Sequence, residues 1–398
     1  MTNYIILILC IIIILSYLFD ISAKYSKIPG VIFLIALGIG IQYLVRVMNI
    51  AIPNLKPVLP VIGTIGLIMI VMEASLDLRL ERKKKKLIIR SVSSAIILFG
   101  TFSGVLTWIL TEFFDIPWRD AILNSIPLGI ISSSIAIPAA RNLNTHDREF
   151  VVYESSFSDI IGIIVFDFIL GSQGSLGSGI STILINSVIT VLIAMITTFI
   201  LATLLHKITY HVNYVIIMTS IILVYVLAKM AHLPALLLVL IFGLILSNNH
   251  LLERDIVKKY IDFDKFRSDI RSFKTILTEL TFLVRSIFFV LFGFYIRTQG
   301  LFVPRNLVVA SLITAAIFIL RLIFIRQVLR IDLVPLLFFS PRGLITILLF
   351  LSIPAVSRIP LISEEVITLT ILFTIFILML GSLTLKREKA SETGIREA

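Results

Sequence analysis

Cysteine is all but missing. Cys10 is the single one in 398 residues, which excludes an internal disulfide and a thiolate metal cluster and leaves the redox compartment open. Charge is scarce as well: 15% of residues are Asp, Glu, Lys or Arg, against about a quarter in soluble chains, so a soluble globular domain is excluded. The five histidines fall in loops or at the ends of apolar runs. The spacing of "HKITYH" at 206–211 does not match a helical metal pair, and proton sensing by His146, His206 or His211 is the role left open to them. There is no Gly-x-Ser-Gly nucleophile with a partner His, and no aspartate pair in Tyr-Asp and Gly-x-Gly-Asp settings. An intramembrane protease is thereby disfavoured, and the chain reads as a non-enzyme.

What fills the chain is apolar. Hydrophobic residues make up 58% of it, and mean hydropathy is +1.06. Runs of about 20 apolar residues, the length that crosses hydrocarbon as a helix, recur from end to end. The fold class is therefore an all-α polytopic membrane protein. Reading the runs against their charged and Gly/Pro punctuation predicts about 13 transmembrane helices. They lie near 4–23, 28–47, 59–79, 86–113, 119–141, 148–171, 179–208, 213–231, 233–248, 274–297, 304–327, 332–355 and 363–385. The first, "YIILILCIIIILSYLF", has no basic segment before it and no small-residue cleavage site after it, and reads as a retained helix rather than a signal peptide. A net charge of +11 suggests nucleic acid at first sight. The cations, however, sit in alternate loops: "LRLERKKKKLIIR", "RNLNTHDRE", the 250–274 connector and "RQVLR". The positive-inside rule places those loops in the cytoplasm, the N-terminus outside and the C-terminus inside. The expected partner is the bilayer, not nucleic acid.

Two spans carry Ser, Pro and Gly where an unbroken helix would carry Leu: "GIISSSIAIPAA" in the fifth and "FFSPRGLITIL" in the twelfth. Their offset of seven spans is that of two inverted six-helix repeats flanking a seventh helix, and broken helices in matching places point to a transporter's midplane site. The expected organisation is one transmembrane domain over 1–386: repeat 1 about 1–172, a linker helix about 179–208 and repeat 2 about 213–386. The mixed-charge connector 250–274 is expected to lie along the cytoplasmic interface as an amphipathic helix, with a plain solvated loop as the alternative. Residues 387–398 are a short polar cytoplasmic tail.

Charges inside the spans carry the chemistry. An ionised side chain at a helix centre costs about 2.5 to 3.5 kcal/mol, so Glu154, Asp159, Arg285, Arg321 and Arg342 must be paired, neutralised or wetted. Asp159 lies about 16 Å into its span, close to the midplane. Burial there disfavours the bare carboxylate and suits the group to hold either a proton or a monovalent cation; a hydrogen-bonded structural Asp is the alternative. Ser158 beside it, and Ser132, Ser133 and Ser134 in the first break, offer the oxygen ligands that hard cations prefer. Pro138, Pro341, Arg342 and Gly343 mark the breaks, with Arg342 suited to offset the negative ends of half-helices. Glu154 lies roughly 140° around the helix from Asp159 and about 7.5 Å nearer the cytoplasm. Arg321 has the same depth on its own span, so a Glu154–Arg321 pair is expected to join two helices, unless Arg321 snorkels to the interface. Asp167, near the outer end, reads as interface-exposed. Glu73 either lines an inner vestibule, as Arg285 would, or is an ordinary buried acid.

At these residues the chain resembles the monovalent cation:proton antiporter superfamily, the sodium/proton exchangers and their relatives, over nearly its whole length. "KYSKIPGVIFLIALGIGI" is similar to the family's early basic, Pro and Gly-rich segment, and "MEASLDL" to Phe-Glu-Ala-Ala-Leu-Asn. "ESSFSD" resembles Glu-Ser-x-x-Asn-Asp with Glu154 and Asp159 in register. "FFVLFGF" resembles Phe-Phe-x-x-x-Gly, "FILRLIF" places Arg321 where the family has a basic partner for the glutamate, and "SPRGLIT" is similar to Gly-Pro-Arg-Gly. The resemblance implies a dimeric antiporter with a panel of spans at the dimer interface and a six-helix core that moves. Asp159 would be the alternating carrier, Glu154 and Arg321 the structural pair, and the crossing of the two broken spans the frame. The chain departs from the pattern with "SSSIAIP" where exchangers have Thr-Asp-Pro, closer to the Ser-Ser-Thr-Ala of the glutathione-gated potassium efflux branch. It departs again with Ser158 where Asn or Asp is usual, and with Arg285 where animal exchangers have Glu. The function expected is secondary antiport of Na⁺, Li⁺ or K⁺ against H⁺ across a bacterial-type inner membrane, with no cofactor. One acid at the carrier position favours one-for-one, electroneutral exchange; participation of Asp167 or Glu73 would change that. The alternative is a potassium efflux channel or antiporter-type module without tight proton coupling.

Overall fold

The structure is a computed structural model. It describes residues 10–19, 21–22, 29–48, 58–78, 84–140, 143–171, 189–190, 192–193, 196–197, 200, 213–231, 233, 235–248, 263–296, 298–329 and 335–384. Among these the regular elements are all helical. In chain order they include α1 (Cys10–Phe19), α2 (Gly30–Val47), α3 (Val58–Asp77), α4 (Lys85–Phe114), α5 (Trp118–Gly129), α6 (Ser133–Ala139) and α7 (Thr145–Gly171). There follow α8 (Asn213–Met230), α9 (Ala235–Ser247), α10 (Phe263–Tyr295), α11 (Thr298–Leu301), α12 (Pro304–Phe324), α13 (Leu344–Ser352) and α14 (Glu364–Thr384). Among the described residues seven segments, with α5 and α6 taken as one, are long and apolar enough to cross a membrane. α7 is long enough but carries Glu154, Asp159 and Asp167 within its apolar part. Only a few residues of the expected span 179–208 are described, and the 387–398 tail lies outside the described residues.

Prolines set several helix starts: Pro29 and Pro117 stand immediately before α2 and α5, and Pro304 opens α12, where the missing N–H costs nothing. α4 stops at Asp115, which adopts φ 51° and returns its N–H to the Leu110 carbonyl. The helices pack as two bundles. α10 lies against α2 and α3, with α9 on α3 and α8 on α9. α4, α5, α6 and α7 pack together, joined by α12, α13 and α14. α3 and α9 touch α7, and α3 touches α13, so the bundles meet beside α7. Direction is fixed at both ends. Arg119 at the start of α5 donates to the Leu170 carbonyl at the end of α7, 3.1 Å. Lys84, ahead of α4, pairs at 2.8 Å with Glu149 near the start of α7.

The α2/α10 contact is a close backbone crossing. A Cβ on Gly38 would stand 2.7 Å from Phe294 N and 2.9 Å from Gly293 Cα, separations that real side chains do not tolerate. Gly40, two residues on, has nothing within 4 Å. Gly38→Ala is therefore expected to lower the melting temperature and folded yield in detergent. Gly40→Ala should hold or raise both, since Ala is about 1 kcal/mol better than Gly inside a helix.

α10 begins at Phe263 and runs unbroken to Tyr295, so the latter half of the 250–274 connector is helical and continuous with the span that follows it. No Gly or Pro interrupts residues 263–292, and nothing stops the helix there. Residues 250–262 are outside the described set. Asp167 is half-buried instead of exposed at the interface as expected, with Lys229 and Tyr225 of α8 near enough to interact electrostatically with it.

Candidate functional site

The site is built from hydrogen bonds that a broken helix gives up. In a continuous helix the N–H of Ile131, Ser132 and Ser133 would bond to the carbonyls of Pro127, Leu128 and Gly129. Instead α5 ends at Gly129, Ile130 turns extended, and α6 starts at Ser133. Ile131 N–H donates to Ser158 Oγ at 2.9 Å. Ser132 N–H donates to the Pro341 carbonyl at 2.9 Å, and Ser133 N–H to Asp159 Oδ2 at 3.2 Å. The first and third acceptors lie on α7; the second lies in the extended stretch before α13. The two breaks thus meet, and α7 runs beside their junction.

The carbonyls released at the end of α5 take a charge in return. Arg342, buried at 3% exposure, donates through Nε to Leu128 O at 2.6 Å and through Nη2 to Gly129 O at 3.4 Å. Nη1 bonds the carbonyl and hydroxyl of Ser340 at 2.9 and 2.8 Å. A cation is thereby set on the negative end of a half-helix. The backbone N–H of Arg342 finds Thr374 Oγ1 on α14 at 3.0 Å. Gly343 leads into α13, and a Cβ there would stand 2.7 Å from Ser132 Oγ and 2.6 Å from Ile135 Cδ1. A side chain at 343 would require the Ile135 and Ser132 side chains to move from the crossing.

Asp159 is 3% exposed. Its Oδ2 is held by Ser133, while Oδ1 has no hydrogen-bond partner among the described residues. Ser132 and Ser134 join hydroxyls at 2.9 Å. Ser158 accepts from Ile131 and keeps its own proton to donate. The carboxylate is therefore anchored by one oxygen and offers the other.

Glu154, on another face of α7, is engaged elsewhere. Arg321 on α12 donates Nη1 to Oε1 at 3.1 Å and Nη2 to Oε2 at 2.7 Å, and both side chains are 1% exposed. Arg321 Nε bonds Leu336 O at 2.9 Å, and Ser94 on α4 donates to Glu154 Oε1. Three helices and the approach to α13 are tied at this one ion pair. Glu73 is half-buried on α3, the helix that touches both α7 and α13. Arg285 Nη1 on α10 donates to the Ser134 carbonyl at 3.3 Å. Pro138 lies inside α6.

The sequence reading passed over four contributors. Ser94 completes the Glu154 pair, Thr374 and Ser340 hold Arg342, and Asn124 bonds Ser357 O at 2.7 Å, fixing α5 to the loop after α13. Of these only Ser94 carried a signal: with Ser91 it places two hydroxyls at three-residue spacing on one face of α4.

Among the solved structures that share this architecture are two of the sodium proton antiporter MjNhaP1 from Methanocaldococcus jannaschii. The one determined at pH 8 aligns at a TM-score of 0.71 with 18% identity, covering 94% of this chain and 98% of that one. The electron-microscopy structure aligns at 0.66 with 19% identity, covering 96% and 95%. At such identity the likeness is one of fold. No curated protein matches the chain. Residues 7–387 match the transmembrane family described as sodium/hydrogen exchanger, and a match of that extent, on an all-helical multi-pass membrane fold, makes this chain a member of the sodium/hydrogen exchanger family.

Proposed function

We propose that the protein is a secondary antiporter that exchanges a monovalent cation, Na⁺ with Li⁺ and K⁺ as candidates, for a proton at Asp159. The observation that carries this is the half-held carboxylate: a buried acid at the junction of two broken helices, with Oδ2 fixed by Ser133 N–H and Oδ1 without a protein partner among the described residues. Such a group can be neutralised by a proton or by a cation but not by both at once. Loaded either way it is a tolerable passenger in a low-dielectric core, whereas bare it is costly there. That difference couples the two ions. Ser158, Ser132, Ser133 and Ser134 supply the surrounding oxygens, with Glu73 at the vestibule. Arg342 and the Glu154–Arg321 pair hold the frame.

One acid at the junction favours one-for-one, electroneutral exchange, since Ser158 adds no charge where a second acid would. The reading extends to a homodimer in the cell membrane, basic loops on the cytoplasmic side, and repeats about 1–172 and 213–386 around the linker 179–208. The test is dissipation of a pH gradient in proteoliposomes on adding Na⁺, Li⁺ or K⁺. Proton movement is expected with at least one of the three, at a rate that an imposed membrane potential leaves unchanged. A rate that follows the potential would overturn electroneutrality, and cation flux without proton movement would favour the potassium-efflux alternative, to which the serine run of the first break is similar.

A further inference from the structure

Arg285 is a charge inside a span that the scheme above leaves unused. It sits half-buried in α10, its guanidinium 6.0 Å from the Phe282 ring centroid, with Nη1 on the carbonyl of Ser134. That acceptor has a specific origin. In a helix the carbonyl of residue 134 would receive the N–H of residue 138, and residue 138 is Pro138, inside α6, which has none. Proline leaves a carbonyl unpaired where no lipid can satisfy it. The replacement donor comes from outside its own bundle: α6 packs on α7, while α10 packs on α2 and α3. One residue back along α6, Ser133 N–H holds Asp159. The Arg285 bond therefore ties the bundle that carries the carrier to the bundle that does not, next to the carboxylate itself.

The geometry points to Arg285 as a latch on alternating access: its bond to the Pro138-freed carbonyl stabilises the arrangement of bundles described here over the one in which α6 has shifted. This rests on the antiport reading, in which the bundles move relative to each other. A shift of about 2 Å is enough to carry a 3.3 Å bond out of range. An interaction made in one state and not in the other sets the ratio of the two populations, and through it the apparent affinity at each face. Loss of the latch should weaken cation binding from the face favoured by the described arrangement and strengthen it from the opposite face. Damage to the site itself would weaken both.

The test measures the half-saturating cation concentration separately at each face, in vesicles sorted by orientation, for wild type, Arg285→Gln, Arg285→Lys and Pro138→Ala. Arg285→Gln is expected to move the two values in opposite directions by roughly three- to tenfold. Arg285→Lys, which still offers a charged donor, should stay near wild type. Pro138→Ala returns an N–H to the Ser134 carbonyl, so it should shift the values as Arg285→Gln does, and the double variant should add nothing further. Shifts in the same direction at both faces, or none, would overturn the latch. Wild type that moves no protons in response to cations would instead refute the antiport reading. In that case hydrogen–deuterium exchange of residues 130–140 still decides about the bond: several-fold faster exchange in Arg285→Gln than in Arg285→Lys supports it, and equal rates refute it.

Discussion

Asp159→Asn is expected to reduce cation-driven proton movement to the level of protein-free vesicles while leaving the protein folded. Both halves follow from the geometry. The asparagine side chain has the same shape and keeps an oxygen for Ser133 N–H, so the bond that anchors Asp159 at 3.2 Å has a neutral equivalent. What it lacks is a removable proton and a negative charge, on which the proposed competition of proton and cation depends. Stability should be retained or improved, because a neutral amide at a site only 3% exposed avoids the desolvation that a carboxylate suffers there. The measurement pairs dissipation of the pH gradient with a melting curve in detergent. Full exchange by the variant would remove Asp159 from the mechanism, whatever its stability.

The features legible in the sequence were those that break a pattern. An acid in the apolar stretch of residues 148–171 and Ser, Pro and Gly in two spans at an offset of seven stand out because hydrocarbon selects against both. Those signals led to Asp159, to the two breaks and to the depth match between Glu154 and Arg321. Hidden instead were the partners that are backbone. Leu128 O, Gly129 O, Pro341 O and Leu336 O carry no residue signature, so Arg342 could be assigned to half-helix ends in general but not to those of α5. Ser158 read as an oxygen for a cation, while in the fold its hydroxyl also receives Ile131 N–H, a bond that exists only because α5 stops at Gly129. Arg285 was visible as a charge, yet its acceptor lies 151 residues away in sequence and is free only because Pro138 follows it by four.

Boundaries failed where polarity and helicity part company. Residues 263–274 are rich in charge, and hydropathy starts the span only after them, but Lys and Arg are good helix formers and no stop signal intervenes. Asp167 was misread for a related reason: depth along one helix says how far a residue is from the interface, not which side chains approach it from other helices. α8 lies near 213–231 as expected, but nothing in the sequence indicated that Lys229 and Tyr225 come near Asp167.

Glu154→Ala and Arg321→Ala are each expected to prevent or severely weaken folding, and replacing both residues together by apolar side chains should rescue it. Either single change leaves one ion buried at 1% exposure without its partner, and breaking such a pair costs about 3 to 5 kcal/mol, a large part of a typical protein's net stability. Among the described residues Arg321 would retain only Leu336 O at 2.9 Å, and Glu154 only the Ser94 hydroxyl. Glu154→Leu with Arg321→Met removes both charges and fills the space, a change that is often neutral or stabilising for buried pairs. Folded yield by size exclusion and melting temperature should therefore rank wild type and the double variant together, with both single alanine variants well below. Exchange by the double variant then separates the two roles open to the pair. A structural clamp predicts that transport survives with the fold, because the oxygen proposed to exchange ions belongs to Asp159 on another face of α7. A folded double variant that moves no protons would show that the Glu154–Arg321 charges take part in carrying ions, and the single-carrier scheme would fall with it.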